Sequence, residues 1–366
     1  MIDRSDELRE MYDVETDGPL AGMFTGTWLD RQEFPPLEYA VPGIIPEGFG
    51  LLVAPPKAGK SWLVCGIGLA CAAGGYALGC IPVTERPVLY LALEDGHRRL
   101  QARSRRLICD VGASVIPAMM HFVTQARPGD VIPMITEFLR QCSDQDWRPL
   151  IILDTLGKAR PPRPPGADLY SWDYAIGGQL KDTIDNAPGA TLIVVHHTRK
   201  TEAPDFVDSV SGSQGIAGSA DFVLVLSRKR HSDEAVLSVT GRDIPEAEYA
   251  LTTEGGLWRL DGASLSDAAK TAETRREKRE LGDDTLQILE LVNSRAETRA
   301  ADVEDELGIP QHKARTYLSR LAESGRIHKG GRGVYRGVAC VASVAFNEDN
   351  ATHATVATPL YREGEL

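Results

Sequence analysis

Ala54-Pro55-Pro56-Lys57-Ala58-Gly59-Lys60-Ser61 is the stretch whose reading decides the fold. It follows the apolar run Gly50–Val53 and opens an amphipathic helical pattern from Lys60 to about Ala73, which is the strand, loop and helix order of a P-loop. Phosphate charge must be met there without filling the pocket. Successive backbone N–H groups and a helix N-terminus cradle it, Lys60 reaches the β and γ oxygens, and Ser61 ligates Mg²⁺. The candidate nucleotide contacts are therefore Ala54, Pro55, Pro56, Lys57, Ala58, Gly59, Lys60, Ser61 and the next residue, Trp62. The first position of the pattern, normally glycine, is Ala54, so that residue must keep φ negative and Gly59 carries most of the backbone freedom.

A P-loop needs an acid on the metal side. Leu150-Ile151-Ile152-Leu153-Asp154 supplies one at the end of an apolar run, but Thr155 follows it, so a base that activates water must come from another strand. Val88-Leu89-Tyr90-Leu91-Ala92-Leu93 ends in Glu94 and Asp95. Glu94 is the candidate base and Asp95 an acid favouring a helix N-terminus. A third run, Thr191–Val195, leads into His196 and His197. Parallel strands bring their C-terminal ends to one edge, so these histidines fall beside the γ-phosphate, with His197 the candidate sensor and His196 a structural residue.

Apolar runs of strand length alternate with helical patterns from Trp28 to about Leu260. This predicts an α/β fold with a largely parallel sheet, the strands being Gly50–Val53, Val88–Leu93, Met120–Val123, Leu150–Leu153, Thr191–Val195, Phe222–Leu226 and Ala235–Thr240. The expected organisation is an acidic arm over 1–27, a core over 28–262, a charged linker, helical or flexible, over 263–283, a small domain over 284–338 and a tail over 339–366. At 366 residues, with 42% hydrophobic and 25% charged residues, the chain is long enough for two cores and unlike a disordered or collagenous sequence. No apolar run approaches the roughly 20 residues needed to cross a bilayer. The acidic start, Met1 to Glu7, lacks a signal-peptide pattern, which predicts a cytoplasmic location. The six cysteines form no C-x-x-C pair and no zinc spacing, and they read as small apolar side chains.

Taken in order, Ala54–Ser61, Leu91–Asp95, Ile151–Asp154, His196-His197-Thr198-Arg199-Lys200 and Gly241-Arg242-Asp243-Ile244-Pro245-Glu246 resemble the RecA-like AAA-25 ATPases, the group that includes the plasmid RepA hexameric helicases. The resemblance covers about residues 35–255. It implies a RecA-like P-loop NTPase core that takes ATP and Mg²⁺ between subunits of a homo-oligomeric, hexameric ring, with Lys60, Ser61, Asp154 and Glu94 on one side of each interface. It also implies that His197 senses the γ-phosphate and that Arg242 acts as an arginine finger toward the adjoining subunit. Thr240 stands where related rings often carry lysine, and Arg242 reads equally as a turn residue paired with Asp243 or Glu246. By the same resemblance the segments Lys158–Asp168 and Arg199–Ser219 line a channel for single-stranded DNA.

The region 284–336 reads as helix, helix, turn and helix followed by a glycine-tipped hairpin, a winged helix-turn-helix shape. Between Gln311 and Arg336, seven bases (Lys313, Arg315, Arg320, Arg326, Lys329, Arg332 and Arg336) face a single acid, Glu323. The whole chain has a net charge of -12, so contact with a polyanion requires such a local basic surface. Lys313 and Arg315 on the last helix and Lys329 and Arg332 on the wing are the candidate duplex-DNA contacts. A protein-docking use of the same face is the other reading.

Overall fold

The computed structural model describes residues 23–110, 112–127, 129–161, 165–166, 168–197, 214–229 and 232–338. The stretch 1–22, most of the expected channel loops and the tail from 339 lie outside the described residues, among them Thr198, Arg199 and Lys200.

A short helix, α1 (Gly26–Asp30), precedes the hairpin β1 (Tyr39–Val41) and β2 (Ile45–Pro46). Then come β3 (Gly48–Ala54), α2 (Lys60–Ala73), the hairpin β4 (Tyr76–Ala77) and β5 (Ile81–Pro82), β6 (Val88–Ala92), α3 (His97–Leu107), β7 (Met120–Val123) and α4 (Val131–Ser143). These are followed by β8 (Leu150–Asp154), α5 (Leu156–Ala159), α6 (Leu169–Asp185), β9 (Thr191–His197), α7 (Gln214–Ala217), β10 (Phe222–Arg228), β11 (Glu234–Gly241), β12 (Ala247–Glu254) and β13 (Leu257–Leu260). The last elements are α8 (Leu265–Leu281), α9 (Asp283–Asn293), α10 (Ala300–Leu307), α11 (Gln311–Glu323), β14 (Ile327–Gly331) and β15 (Val334–Gly337).

One nine-stranded sheet runs β13-β12-β11-β10-β3-β9-β8-β6-β7, and the pairs from β10 through β7 are parallel. Each strand expected from the sequence is present. Both faces of the parallel part are covered, which is why its strands read as continuous apolar runs rather than alternating ones. On one face Leu51, Val53, Leu91, Ile151 and Val194 pack against Ile135 and Leu139 of α4 and Ile176 and Leu180 of α6. On the other lies α2, where a Cβ on Gly68 would come within 3.0 Å of Ile152 and Met120; glycine there lets the helix sit close to the sheet. The expectation of an amphipathic α2 is corrected: ten of its fourteen residues are buried, as suits a helix enclosed nearly all round.

By contacts the chain divides into two compact units, one of Met1–His231, Ser238–Glu246 and Thr253–Arg259, the other of Ser232–Leu237, Ala247–Thr252 and Leu260–Leu366. The stretch 263–283 falls within the second of these units. That stretch carries α8, whose Ala268 and Ala272 are buried, and Arg275 donates to the carbonyls of Ala235 (2.9 Å) and Leu251 (3.1 Å) and pairs with Asp261. In the same unit, α9, α10, α11 and the β14–β15 hairpin enclose their own core around Ile288, Val292, Val303, Leu318, Ile327 and Tyr335. Gly308, in the left-handed region, ends α10 and turns the chain into α11.

Candidate nucleotide site

The parallel register assembles the site. Ala54 pairs with His197, Asp154 with Val195 and Ala92 with Asp154, so the C-terminal ends of β3, β9, β8 and β6 share one edge at strand spacings of about 4.8 Å. That edge gathers Lys60, Ser61, Asp154, Glu94 and His197, which come from four separated parts of the chain.

Ala54 is the last residue of β3 and, unlike Lys57, does not adopt positive φ, as the departure from glycine requires. Gly59 has φ +105°, and a Cβ there would meet the Trp258 ring at 2.8 Å. Conformation and space both demand glycine. Lys57 also adopts positive φ (66°), a feature its residue type does not announce. The first N–H groups of α2 have no intrahelical acceptor by geometry and stand at the positive end of the helix dipole.

Lys60 is 4% exposed, and its Nζ donates to the carbonyls of Ala54 (2.7 Å) and Pro55 (3.0 Å) and lies 3.0 Å from His197 Nδ1. Burial lowers its pKa to about 8 against the opposing pull of Asp154 and Glu94. Burial and the Lys60 charge likewise lower the pKa of His197, which favours a neutral ring accepting from the ammonium at Nδ1. His196, half-buried, is pushed down to about 4 by burial and by Arg160, His197 and Lys60. This favours a neutral ring.

Asp154 is 4% exposed, and burial raises its pKa while hydrogen bonds from the Ser61 and Tyr90 hydroxyls oppose that rise; Tyr90 Oη lies 2.8 Å from Oδ2. The next residue, Thr155, is joined to Asp154 by a cis peptide and donates from Oγ1 to Glu94 Oε1 at 2.9 Å. Glu94 is exposed, whereas the Asp95 carboxylate is enclosed and held by Arg103 at 2.5 Å and Arg99 at 3.1 Å.

The donor set suits Mg²⁺. A hydroxyl and a carboxylate in hydrogen-bond contact are hard oxygen ligands, and two protein oxygens leave the remaining positions to phosphate and water, as this ion prefers. Among the described residues no cluster of three or more His, Cys, Asp or Glu forms a separate metal cage.

Other predicted residues are placed elsewhere. Trp62 carries the Arg103 guanidinium 5.4 Å from its ring centroid and, with Tyr76 and Trp258, lines a small cavity beside α2. Arg242 is exposed, donates to the Gly218 carbonyl at 3.3 Å and lies 3.7 Å from Asp221; neither Asp243 nor Glu246 is its partner. Asp221 precedes the Phe222–Gly50 pair, at the edge opposite the P-loop, and β3 between the two edges is about 20 Å long. Lys313, Arg315, Lys329 and Arg332 are all exposed, with no ion-pair partner among the described residues. Sequence reasoning missed Tyr90, Arg103, Thr155 and Trp258. Trp258 donates from its indole to the Gly59 carbonyl at 3.3 Å, and its strand was legible in the Leu257-Trp258-Arg259-Leu260 run after Gly255-Gly256.

Comparison with known proteins adds to this geometry. The family model described as AAA domain matches residues 22–203, which contain the P-loop, Glu94, Asp154 and His197. Over this segment the chain is similar to AAA domains. A second family model, FaeA-like protein, matches residues 285–342. Among solved structures the chain is similar to "The Structure Of A DnaB-Like Replicative Helicase And Its Interactions With Primase", at 13% identity over 70% of this chain and 71% of that one, with a TM-score of 0.47. It is also similar to "Crystal structure of the RadB recombinase", at 15% identity over 60% of this chain and 91% of that one, with a TM-score of 0.39.

Proposed function

We propose that this chain is an ATP-dependent, oligomeric DNA motor, a RepA-like replicative helicase of a mobile element that hydrolyses ATP at the interfaces of a hexameric ring. The observation that carries the ATP-fuelled part is the gathering of Lys60, Ser61, Asp154, Glu94 and His197 on one sheet edge. Lys60 leaves the Ala54 and Pro55 carbonyls for the β and γ oxygens, the α2 N–H groups hold the phosphates, and Glu94 orients the attacking water. Ser61 and Asp154 would hold Mg²⁺, which when bound would supply neutralisation of the charge developing on the phosphates. His197, already within reach of Lys60, registers the γ-phosphate by donating a ring N–H to a phosphate oxygen once the lysine has left it.

The DNA-directed part rests on the sequence resemblance and on the exposed bases of the α9–α11 and β14–β15 module, read as a winged helix. Single-stranded DNA is assigned to the channel loops and duplex DNA to the wing. A cytoplasmic location goes with this reading; no helix among the described residues is long and apolar enough to cross a membrane.

The test is ATP-fuelled separation of a forked duplex by the purified chain, together with ATP turnover of Lys60→Ala. The variant is expected to lose turnover, because backbone amides cannot replace the point charge. Near-normal turnover would remove the site. DNA-bound ATPase without strand separation would instead favour a DNA-binding regulator whose ATPase switches assembly.

A further inference from the structure

Resting on the ATPase reading above, we propose that Tyr90 is a positioning residue for the metal-side carboxylate, fixing through its hydroxyl which oxygen of Asp154 is left for Mg²⁺. Tyr90 sits in the middle of β6 with no solvent exposure, among aliphatic side chains and 6.1 Å from the Phe122 ring. Packing alone would be served by phenylalanine. A phenol buried this deeply needs an acceptor, and it has one: Oη is 2.8 Å from Asp154 Oδ2 and 3.5 Å from the Ser61 carbonyl.

The register explains why that bond forms. Ala92 pairs with Asp154 and Tyr90 with Ile152, so Tyr90 lies two residues back along the neighbouring strand and reaches along the sheet to the carboxylate. Asp154 is nearly enclosed, and its donors are the Ser61 and Tyr90 hydroxyls. A Ser61 oxygen ligating a metal through a lone pair would keep its O–H for Asp154, and the Tyr90 bond would hold Oδ2 and leave Oδ1 the freer oxygen for the ion. Outer contacts of this kind typically change metal affinity by about 10- to 100-fold when removed.

The experiment measures the affinity of a fluorescent ATP analogue in EDTA and in Mg²⁺, and takes the ratio of the two constants, with kcat recorded beside it. Tyr90→Phe is expected to leave the EDTA constant unchanged and to lower the Mg²⁺ enhancement by about 10-fold. Replacing Tyr90 by p-aminophenylalanine, which restores a donor at the same place, is expected to recover the enhancement. An unchanged ratio in Tyr90→Phe, while Ser61→Ala and Asp154→Asn lower it, overturns the positioning role. So does a lowered ratio that the amino analogue does not recover, since that marks a packing effect. If Ser61→Ala and Asp154→Asn also leave the ratio unchanged, the metal site itself is overturned. Should Tyr90→Phe fail to fold, p-aminophenylalanine and p-methoxyphenylalanine at position 90 carry the same comparison, one with the donor and one without.

Discussion

Glu94 and Asp95 are neighbours in the chain, yet the Asp95 side chain is 7% exposed and gripped by Arg103 and Arg99, while Glu94 stands in solvent with the Thr155 hydroxyl on one oxygen. A carboxylate enclosed by two arginines is a poor proton acceptor and a costly one to neutralise. Asp95→Asn should therefore lower unfolding stability by about 3 kcal/mol, the lower range for breaking a buried pair, as read by denaturant titration. Glu94→Gln should leave stability nearly unchanged, keep nucleotide binding and slow hydrolysis by at least about 100-fold. The opposite pattern, with Asp95→Asn folded, binding and hydrolytically dead, would transfer the base role to Asp95. Both acids were legible in the sequence because an apolar run ends at them. Glu94 was also the one expected to act as base, but the hold of Arg103 on Asp95, eight residues on and across a turn of chain, was not legible. The partnership of Tyr90 with Asp154 spans 64 residues and is set by strand order, which no local pattern encodes.

At the scale of elements, strong periodic runs were legible and short or half-polar ones were not. All seven expected strands formed, whereas β12 was passed over because Ala247–Glu254 mixes Glu248, Thr252 and Thr253 with its apolar residues. The charged span 263–283 shows the limit of composition: polar residues outnumber apolar ones, yet two alanines four apart and one arginine dock α8 on strand backbone. The basic module shows it differently. Of its seven bases, Arg326 is paired with Glu277 and Arg336 with Glu297, acids outside the counted stretch. This leaves Lys313, Arg315, Arg320, Lys329 and Arg332 as the exposed set. Those on the β14–β15 hairpin bury little apolar surface, so folding does not account for them. Replacing Lys329 and Arg332 with alanine should weaken duplex binding and reduce the slope of log affinity against log salt by about 1 per lost phosphate contact. Arg315→Ala, on the helix facing the solvent with Lys313, should relax preference between DNA sequences instead. If neither affinity nor slope changes, the module docks protein rather than DNA.

For the whole molecule, the decisive placement is that of Arg242. Its amide donates to Asp221 and its guanidinium to Gly218, at the sheet edge about 20 Å of strand away from the P-loop on the other. An arginine so placed cannot serve the nucleotide of its own chain, and its side chain is 58% exposed and, among the described residues, held by one carbonyl and a long ion pair. Any part it plays in hydrolysis must be in a neighbouring subunit, and that makes the role testable by mixing. Arg242→Ala and Lys60→Ala proteins should each be inactive alone. Mixed assemblies place some intact P-loops from the first against intact arginines from the second, so part of the ATPase activity should return as the two are combined. The recovered activity should peak near equal proportions, because only unlike neighbours complete a site. Co-assembly, shown by a tag on one variant pulling down the other, with no recovery at any proportion would leave Arg242 as a surface residue of its own subunit and remove the interface from the mechanism.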